Sequence, residues 1–342
     1  MINSPAIATD NRFEALQRWL PSILGRAPDD IRPISGDASF RRYFRVWAGD
    51  ASHIAMDAPP AKEKLRPFVR AAGLMENAGV HTPRIFAADE DQGFLLMSDL
   101  GDTNYLQQLA SGDADLLYAD ALETLARMQL RIDAGGCGLP AYDEDLLLRE
   151  LELFPDWFLG GLLSLELSAT EEALYRRLSL HLIESAVQQP AVVVHRDFHS
   201  RNLMVTGERN PGVLDFQDAV VGPITYDLVS LLRDCYIAWP EARVKRWLDD
   251  YRHRLADSGS RPAADSETFQ RWFDLMGLQR HLKAVGIFAR LHLRDGKDGY
   301  LPDIPRTLRY VLDVAGRYPE LGEFHRFLDL RVCPVLNEAA AA

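Results

Sequence analysis

The sequence has few of the features that would cross-link, export or anchor a protein. Its three cysteines, Cys137, Cys235 and Cys333, are scattered over 342 residues, and no two have the spacing of a metal site. We therefore expect reduced thiols and a cytoplasmic location. Residues 1–10 carry no positive charge and no long apolar run, so we expect no secretory signal there. The chain also lacks any stretch of about 18 uncharged apolar residues, so we expect no membrane span.

The sequence also has fewer basic than acidic residues. Lysine and arginine number 38 against 50 aspartates and glutamates, which gives a net charge of −12. An acidic surface repels nucleic acid and anionic lipid, so neither is expected as a partner, although a local basic cleft remains compatible with phosphate binding. No obligate protein partner is evident. With 47% hydrophobic and 26% charged residues, the composition is that of an ordinary globular protein.

The pattern of hydrophobic residues changes near residue 99. An amphipathic helical pattern at 11–24 is followed by short runs of strand-forming residues, which dominate the first hundred residues and are interrupted by a helical pattern at 62–78. Beyond this point helical patterns prevail, among them those at 143–163 and 224–238, with strand-like runs at 191–195, 203–205 and 212–216. We predict an α+β fold with a small antiparallel-sheet lobe at 1–99 and a large helical lobe at 100–342. A cleft between two such lobes is the expected ligand site.

One segment, from Val192 to Val205, carries most of the chemical information. It contains Asp197 and Asn202, and Asp215 follows thirteen residues after Asn202. A single Asp or Asn after a strand is usually a turn former. Three at this spacing, each behind an apolar run, instead match the needs of phosphoryl transfer. One carboxylate must orient the acceptor hydroxyl and take its proton, and we assign this role to Asp197. An amide oxygen and a second carboxylate must hold Mg²⁺ against the nucleotide phosphates, and we assign these roles to Asn202 and Asp215.

Two histidines in the same segment raise the alternative of a zinc site. His195 and His199 have H-x-x-x-H spacing, but they lie on a predicted loop and no third ligand is near in the sequence. We therefore expect His195 to brace the loop by hydrogen bonds.

The same residues carry a resemblance to a known family. His195 to Asn202, followed by Asp215, resembles the catalytic and metal-binding motifs of the protein-kinase-like fold. Gly222 to Leu228 is similar to the segment after the metal site in aminoglycoside and choline kinases, and no Ala-Pro-Glu triplet follows Asp215. The resemblance implies a bilobal ATP-dependent kinase of the aminoglycoside phosphotransferase and choline kinase superfamily. It also implies that Asp227 supports the catalytic loop from a helix start, which is compatible with an N-cap.

Four further segments are similar to one subgroup, the bacterial kinases that phosphorylate the anomeric hydroxyl of N-acetylmuramate and N-acetylglucosamine in peptidoglycan recycling. These segments are Ile34–Val46, Met56–Pro60, Phe94–Gly101 and Gln279–Leu301. Arg280 to Lys283 and Arg294 to Lys297 are the most subgroup-like pieces. The alternatives are a kinase for choline, homoserine or an aminoglycoside, and a nucleotide-binding pseudokinase.

The nucleotide side departs from the pattern of the fold. The resemblance implies that the backbone of Ser98, Asp99 and Leu100 binds adenine. The phosphate loop, residues 36–42, has a single glycine and is a weak signal by itself. From this loop we assign Ser39, Arg41 and Arg42 to the phosphates.

The predicted strand at 53–56 has no lysine, and the helix after it has no glutamate around Phe68, so both residues of the usual ion pair are absent from these places. We predict that Arg41, Arg42 or Arg45 replaces the lysine, with Lys62 and Lys64 next in line.

The acceptor side is the least determined by the sequence. Glu150 and Trp157 fall on one helical face together with Phe154, a pattern typical of a sugar site, although core packing is the favoured interpretation for Phe154 and Trp157. Arg290 and Arg294 are also one helical turn apart, and they are candidates for holding the lactyl carboxylate of N-acetylmuramate. Salt bridges to acidic surface residues are the alternative for these two arginines.

Overall fold

The computed structural model describes residues 10–34, 40–259 and 265–341. The chain divides into two compact units. The first consists of residues 1–103 and 204–218, and the second of residues 104–203 and 219–342. In the part of the chain that the structure describes, no helix is both long and apolar enough to cross a membrane.

The first unit is built on a five-stranded sheet in the order β1-β2-β3-β5-β4, and every neighbouring pair is antiparallel. Its strands are β1 (Asp30–Ile34), β2 (Arg42–Ala48), β3 (Ala51–Asp57), β4 (Ile85–Asp89) and β5 (Phe94–Ser98). Its helices are α1 (Asn11–Leu24) and α2 (Leu65–Asn77). This architecture confirms the predicted sheet-rich N-terminal region.

Helix α1 packs on the sheet because its apolar side chains recur at helical spacing. Leu16 and Leu20 are fully buried and share a core cluster with Phe44, Val46 and Leu96 from β2 and β5. Local signals set both ends of the helix. The Asp10 side chain accepts from two backbone N–H groups of the first turn, and Gly25 ends the helix with a φ of 72° in the left-handed region.

The second unit is mostly helical, which confirms the predicted C-terminal region. Its helices are α3 (Tyr105–Gln108), α4 (Ala114–Arg131), α5 (Glu144–Leu153), α6 (Ala169–Val187), α7 (Tyr226–Leu232), α8 (Glu241–Asp257), α9 (Ser266–Asp295), α10 (Ile304–Arg317), α11 (Gly322–Phe327) and α12 (Cys333–Ala341). Two π-helical turns lie at Phe154–Leu162 and Leu328–Val332, and two 3₁₀ turns at Asp298–Asp303 and Pro319–Leu321.

Four short strands frame the segment that carries the chemistry. Strand β6 (Ala191–Val194) pairs antiparallel with β9 (Val220–Pro223). Strand β7 (Leu203–Met204) pairs with β8 (Gly212–Val213). Because Val192, Val193 and Val194 are all buried, β6 is held firmly where it enters the catalytic loop.

Helix α9 is the longest element, with 30 residues, and it packs against α5, α6, α7, α10 and the π-helical turn at Phe154–Leu162. A helix surrounded in this way is expected to be apolar on all sides. In α9, however, Gln279, Arg280, His281 and Lys283 are buried together near its middle. Four buried polar side chains in one helical turn indicate a polar site rather than simple core packing.

Candidate active site

The catalytic loop begins after β6 and is anchored by Asp227. The backbone N–H groups of His195 and Arg196 donate to the two carboxylate oxygens of Asp227 at 2.6 and 2.9 Å. Asp227 lies in the first turn of α7 and is fully buried. Arg196 has a φ of 78°, a left-handed conformation that a non-glycine residue adopts only where its surroundings hold it. Asp227 therefore fixes the unusual backbone that precedes Asp197.

The far end of the loop is anchored in the same way by Asp234. Ser200 donates to one Asp234 oxygen from its backbone N–H at 2.9 Å and from its hydroxyl at 2.6 Å. Within the loop, the Asp197 N–H donates to His195 Nδ1 at 3.2 Å, and Asn202 Nδ2 donates to the Asp197 carbonyl oxygen at 3.0 Å. These contacts bring Asp197 and Asn202 together and hold both in place.

The electrostatic surroundings of Asp197 favour its ionised form. Burial raises the pKa of Asp197, but the nearby Lys283, His199 and Arg280 lower it by more, so the net pKa lies below its ordinary value. Two of these groups, Arg280 and Lys283, come from the polar turn of α9. An ionised carboxylate is the form that can accept a proton from a hydroxyl acceptor.

The Asn202 amide suits a hard cation. Its nitrogen is committed to the Asp197 carbonyl, which leaves its oxygen as the atom that can face a metal ion. An amide oxygen and a carboxylate are the ligand types that Mg²⁺ takes from proteins, so Asn202 and Asp215 fit this ion chemically.

A buried carboxylate, Glu150, links the catalytic loop to α9. It accepts hydrogen bonds from Tyr142, from Arg196, from Gln279 Nε2 at 3.3 Å and from Lys283 Nζ at 3.1 Å. Burial raises the pKa of Glu150, whereas Lys283 and Arg196 lower it by more, so the group is anionic at neutral pH. Its oxygens are thus occupied by four donors of the protein itself. The predicted contact of Glu150 with a sugar stays a prediction.

The other residues predicted to bind the acceptor lie elsewhere in the second unit. Trp157 is half-buried in the π-helical turn at Phe154–Leu162. Arg290 is half-buried on α9, and its Nε is buried without a hydrogen-bond partner. Arg294 is exposed and donates to the adjacent Asp295 at 2.8 and 2.9 Å.

In the first unit, Asp215 follows β8 and has a φ of 62°. One of its oxygens accepts from Gln217 Nε2 at 2.7 Å. Burial raises the pKa of Tyr43, the charge of Arg41 lowers it and the charge of Asp215 raises it, with a net increase. Burial lowers the pKa of Arg41, whereas the charges of Tyr43, Glu63 and Asp218 raise it by more.

Arg41 has a carboxylate partner that the sequence reading missed. Its guanidinium donates to Glu63 at 3.1 and 3.3 Å, and both side chains are largely buried. The sequence offers no glutamate around Phe68, as noted above, and the carboxylate that pairs with Arg41 comes instead from Glu63, just before α2. The other two candidate arginines have different partners, Asp57 and Asp10 for Arg42 and Asp99 and Asp102 for Arg45.

The residues predicted to bind adenine are ordered by local contacts within the first unit. Ser98 exchanges hydrogen bonds with Arg84 at 2.9 Å, and Asp99 accepts from the Gly101 N–H at 3.0 Å. Leu100 packs so closely on Gly212 that a Cβ there would lie 2.7 Å from its Cδ1. Ser39, predicted to bind phosphate, lies outside the described residues.

The sequence reading gave no role to several residues of the site, namely Tyr142, Ser200, Asp234, Gln279, Arg280 and Lys283. A signal for the last three was present, since Gln279 to Lys283 places four polar or charged side chains inside an otherwise apolar helical pattern.

The sequence of this chain is similar to those of known phosphotransferases and kinases. Residues 30–266 match the phosphotransferase enzyme family. An N-acetylmuramate/N-acetylglucosamine kinase of Pseudomonas aeruginosa is 48% identical over 332 residues, which cover 94% of this chain and 97% of the relative. A kinase of the same name from Neisseria meningitidis is 42% identical, with 92% of this chain and 94% of the relative covered.

Solved structures confirm the fold. A choline kinase from Streptococcus pneumoniae superposes with a TM-score of 0.64 at 11% identity, covering 90% of this chain and 100% of the other. An ADP-bound aminoglycoside phosphotransferase superposes with a TM-score of 0.59 at 14% identity, covering 90% and 99%. Together with the family match, these similarities confirm the kinase-like fold inferred from the sequence. The chain belongs to the phosphotransferase enzyme family.

Proposed function

We propose that this enzyme transfers the γ-phosphate of ATP to the anomeric hydroxyl of N-acetylmuramate and N-acetylglucosamine, in the recycling of peptidoglycan sugars in the cytoplasm. The observation that carries the proposal is the catalytic loop, in which Asp227 and Asp234 fix both ends around a half-buried, ionised Asp197. The acceptor is supported by relatives of 42–48% identity that carry the name N-acetylmuramate/N-acetylglucosamine kinase.

In this proposal Asp197 orients the acceptor hydroxyl and takes its proton. Asn202 and Asp215 hold Mg²⁺, which would neutralise charge on the nucleotide phosphates when bound. The anomeric hydroxyl is more acidic than the other hydroxyls of a sugar. Positioning and electrostatic stabilisation therefore carry most of the rate, and a strong base is not required.

On the nucleotide side, we propose that Arg41 takes the place of the strand lysine. Its pairing with Glu63 reproduces a cation held by a glutamate next to a helix, and a guanidinium binds phosphate oxygens through charge-assisted hydrogen bonds. The backbone of Ser98 to Leu100 binds adenine in this proposal.

The test measures ATP consumption with a panel of N-acetylmuramate, N-acetylglucosamine, choline, homoserine and an aminoglycoside. We expect turnover with the two amino sugars, and turnover with only the other alcohols would refute the acceptor assignment. ATP binding without turnover of any acceptor would indicate a pseudokinase.

The position of the phosphate is tested on the product. Carbon–phosphorus coupling in its NMR spectrum should involve C1, and the 1-O-methyl glycoside should be inert because the accepting oxygen is blocked. A 6-deoxy analogue should still react. Coupling to C6, or turnover of the methyl glycoside, would contradict the anomeric assignment and leave the kinase assignment standing.

A further inference from the structure

A buried arginine beside the catalytic loop has no carboxylate hydrogen-bonded to it. Arg280, on α9, is only 6% exposed. Its Nη1 donates to Cys235 Sγ at 3.5 Å, and its Nε is buried without a hydrogen-bond partner. Among residues 10–34, 40–259 and 265–341, no carboxylate forms an ion pair with it. A guanidinium buried against a thiol is costly, because a buried charge is normally neutralised and hydrogen-bonded. Such a group is suited to an anionic ligand.

A second unpartnered nitrogen belongs to the same neighbourhood. His199 is 8% exposed, and its Nδ1 is buried without a hydrogen-bond partner. Burial lowers the pKa of His199, as does the charge of Arg280, so the imidazole is neutral at neutral pH. Contacts connect both side chains to the proposed catalytic base: Cys235, which accepts from Arg280, precedes Tyr236, whose ring meets the His199 ring, and the His199 N–H donates to the Asp197 carbonyl oxygen at 3.0 Å.

Half-buried aromatic residues adjoin this pair. The Tyr236 ring meets the His199 ring edge-on at 5.2 Å. The Arg201 guanidinium lies over Tyr236 at 3.6 Å and over Tyr300 at 5.7 Å, and Tyr300 stacks on Phe288 at 5.5 Å. Aromatic faces beside a few unpaired polar groups are typical of sites for small polar ligands.

We propose that Arg280, with His199 beside it, binds the carboxylate of an anionic acceptor sugar and so determines the preference for N-acetylmuramate over N-acetylglucosamine. The inference rests on the proposed function, since these two sugars differ only at the oxygen on C3. N-acetylmuramate carries a lactyl carboxylate there, whereas N-acetylglucosamine has a hydroxyl. A guanidinium recognises a carboxylate through two parallel charge-assisted hydrogen bonds, and the same contact supplies an acceptor for the unpartnered Nε of Arg280.

Arg290 is the rival for this role, because its Nε is also buried and unpartnered. Its electrostatic neighbours are Arg294 and Asp295. Arg280 instead belongs to the side chains around the catalytic loop, because it donates to Cys235, and the next residue, Tyr236, contacts His199 of that loop. The lactyl group is only part of a sugar ring away from the accepting oxygen, so we assign the carboxylate contact to Arg280 rather than to Arg290.

The first test uses the wild-type enzyme alone, so it does not depend on the folding of a variant. The kcat/KM for N-acetylmuramate is compared with that for its neutral lactyl amide. We expect the amide to be roughly 10–100-fold poorer, the loss typical of hydrogen bonds to a charged group. An amide as good as the acid would overturn the proposal.

The second test uses Arg280→Gln and Arg280→Lys with N-acetylmuramate and N-acetylglucosamine. The ratio of the two kcat/KM values should fall by about tenfold or more in Arg280→Gln, and less in Arg280→Lys, which keeps the charge but not the paired donors. The matched control is Arg271→Gln on the same helix, since Arg271 forms a half-exposed ion pair with Glu320 at 2.7 Å. This control should leave the ratio unchanged.

Equal losses for both sugars would overturn the inference, because a structural role or a contact with the transferred phosphoryl group affects both acceptors alike. A ratio that changes only in Arg290→Gln would move the carboxylate site to Arg290. If wild-type enzyme phosphorylates neither sugar, the proposed function itself fails, and that result is distinct from an unchanged ratio.

Discussion

Replacing Glu150 by glutamine should destabilise the second unit. The substitution keeps the size of the side chain but removes its negative charge. The buried carboxylate accepts from Tyr142, Arg196, Gln279 and Lys283, so the change leaves two buried cations without their shared counter-charge. The new amide group also points a donor at groups that are themselves donors.

The expected magnitude follows from this arrangement. Removing one partner of a buried ion pair costs about 3–5 kcal/mol, a large share of the roughly 5–15 kcal/mol that stabilises a folded protein. For a unit of this size, about 2–4 °C is lost per kcal/mol, so the melting temperature should fall by roughly 6–20 °C. Because Arg196 immediately precedes Asp197, kcat should fall as well.

The assay combines thermal unfolding followed by circular dichroism with steady-state kinetics. Glu152→Gln is the matched control, since Glu152 is an exposed carboxylate on the same helix, and it should melt like the wild-type protein. The double variant with Lys283→Met should lose less stability than the sum of the two single variants, because one stranded charge is removed. The reasoning would be refuted if Glu150→Gln melted within about 1 °C of wild type. A raised KM for the sugar at unchanged stability would instead support a direct contact between Glu150 and the acceptor.

Four further outcomes are expected. Asp197→Asn should lower kcat by about 10²–10⁴-fold while Mg·ATP still binds, and more than a tenth of wild-type turnover would contradict its role as base. Asp215→Ala should abolish the Mg²⁺ dependence of ATP binding in a nucleotide titration, and an unchanged Mg²⁺ effect would argue against metal ligation. Arg41→Gln should lower kcat/KM for ATP far more than Arg45→Gln does, and near-normal kinetics in both would move the phosphate contact elsewhere. Burial lowers the pKa of His281 to about 3, so the unfolded chain binds a proton at mildly acidic pH that the folded chain does not. The contribution of His281 to the free energy of unfolding is therefore fully present above the pKa that the residue has in the unfolded chain, and it is lost as the pH falls below that value. When the pH is lowered from about 7.5 to about 5, the free energy of unfolding of the wild-type protein should fall by about 2 kcal/mol more than that of His281→Gln, as measured by denaturant unfolding. Equal decreases would contradict this prediction.

Features that depend on neighbours in the chain were predictable from the sequence. The helix predicted at 11–24 is α1, because its apolar spacing, the Asp10 cap and the Gly25 terminus are all local. The sheet-rich and helical regions follow from the change in hydrophobic period. The order of Asp197, Asn202 and Asp215 behind apolar strands sufficed to predict phosphoryl transfer, since that chemistry restricts both residue type and spacing.

Helix boundaries were less predictable where tertiary contacts override local pattern. The helix predicted at 143–163 is α5 followed by a π-helical turn. At the junction between the two, the carbonyl group of Leu153 lies so close to Gly286 that a Cβ added to this glycine would be within 2.5 Å of that group. The helix predicted at 224–238 ends at Leu232 as α7. Asp234 is instead turned to receive Ser200, a contact that periodicity does not encode.

The charge partners of the site were decided by tertiary structure alone. Arg41 meets Glu63 across 22 positions of sequence, and Glu150 meets Gln279 across 129. The hydrophobic pattern determines which face of a strand or helix is buried, so it determines the fold. It does not determine which charges become neighbours when those faces pack, because that depends on strand register and on the rotation of one helix against another. The sequence by itself therefore determined the fold class and the reaction. Only the folded chain showed which cation pairs with Glu63 and which arginine is buried without a hydrogen-bonded carboxylate.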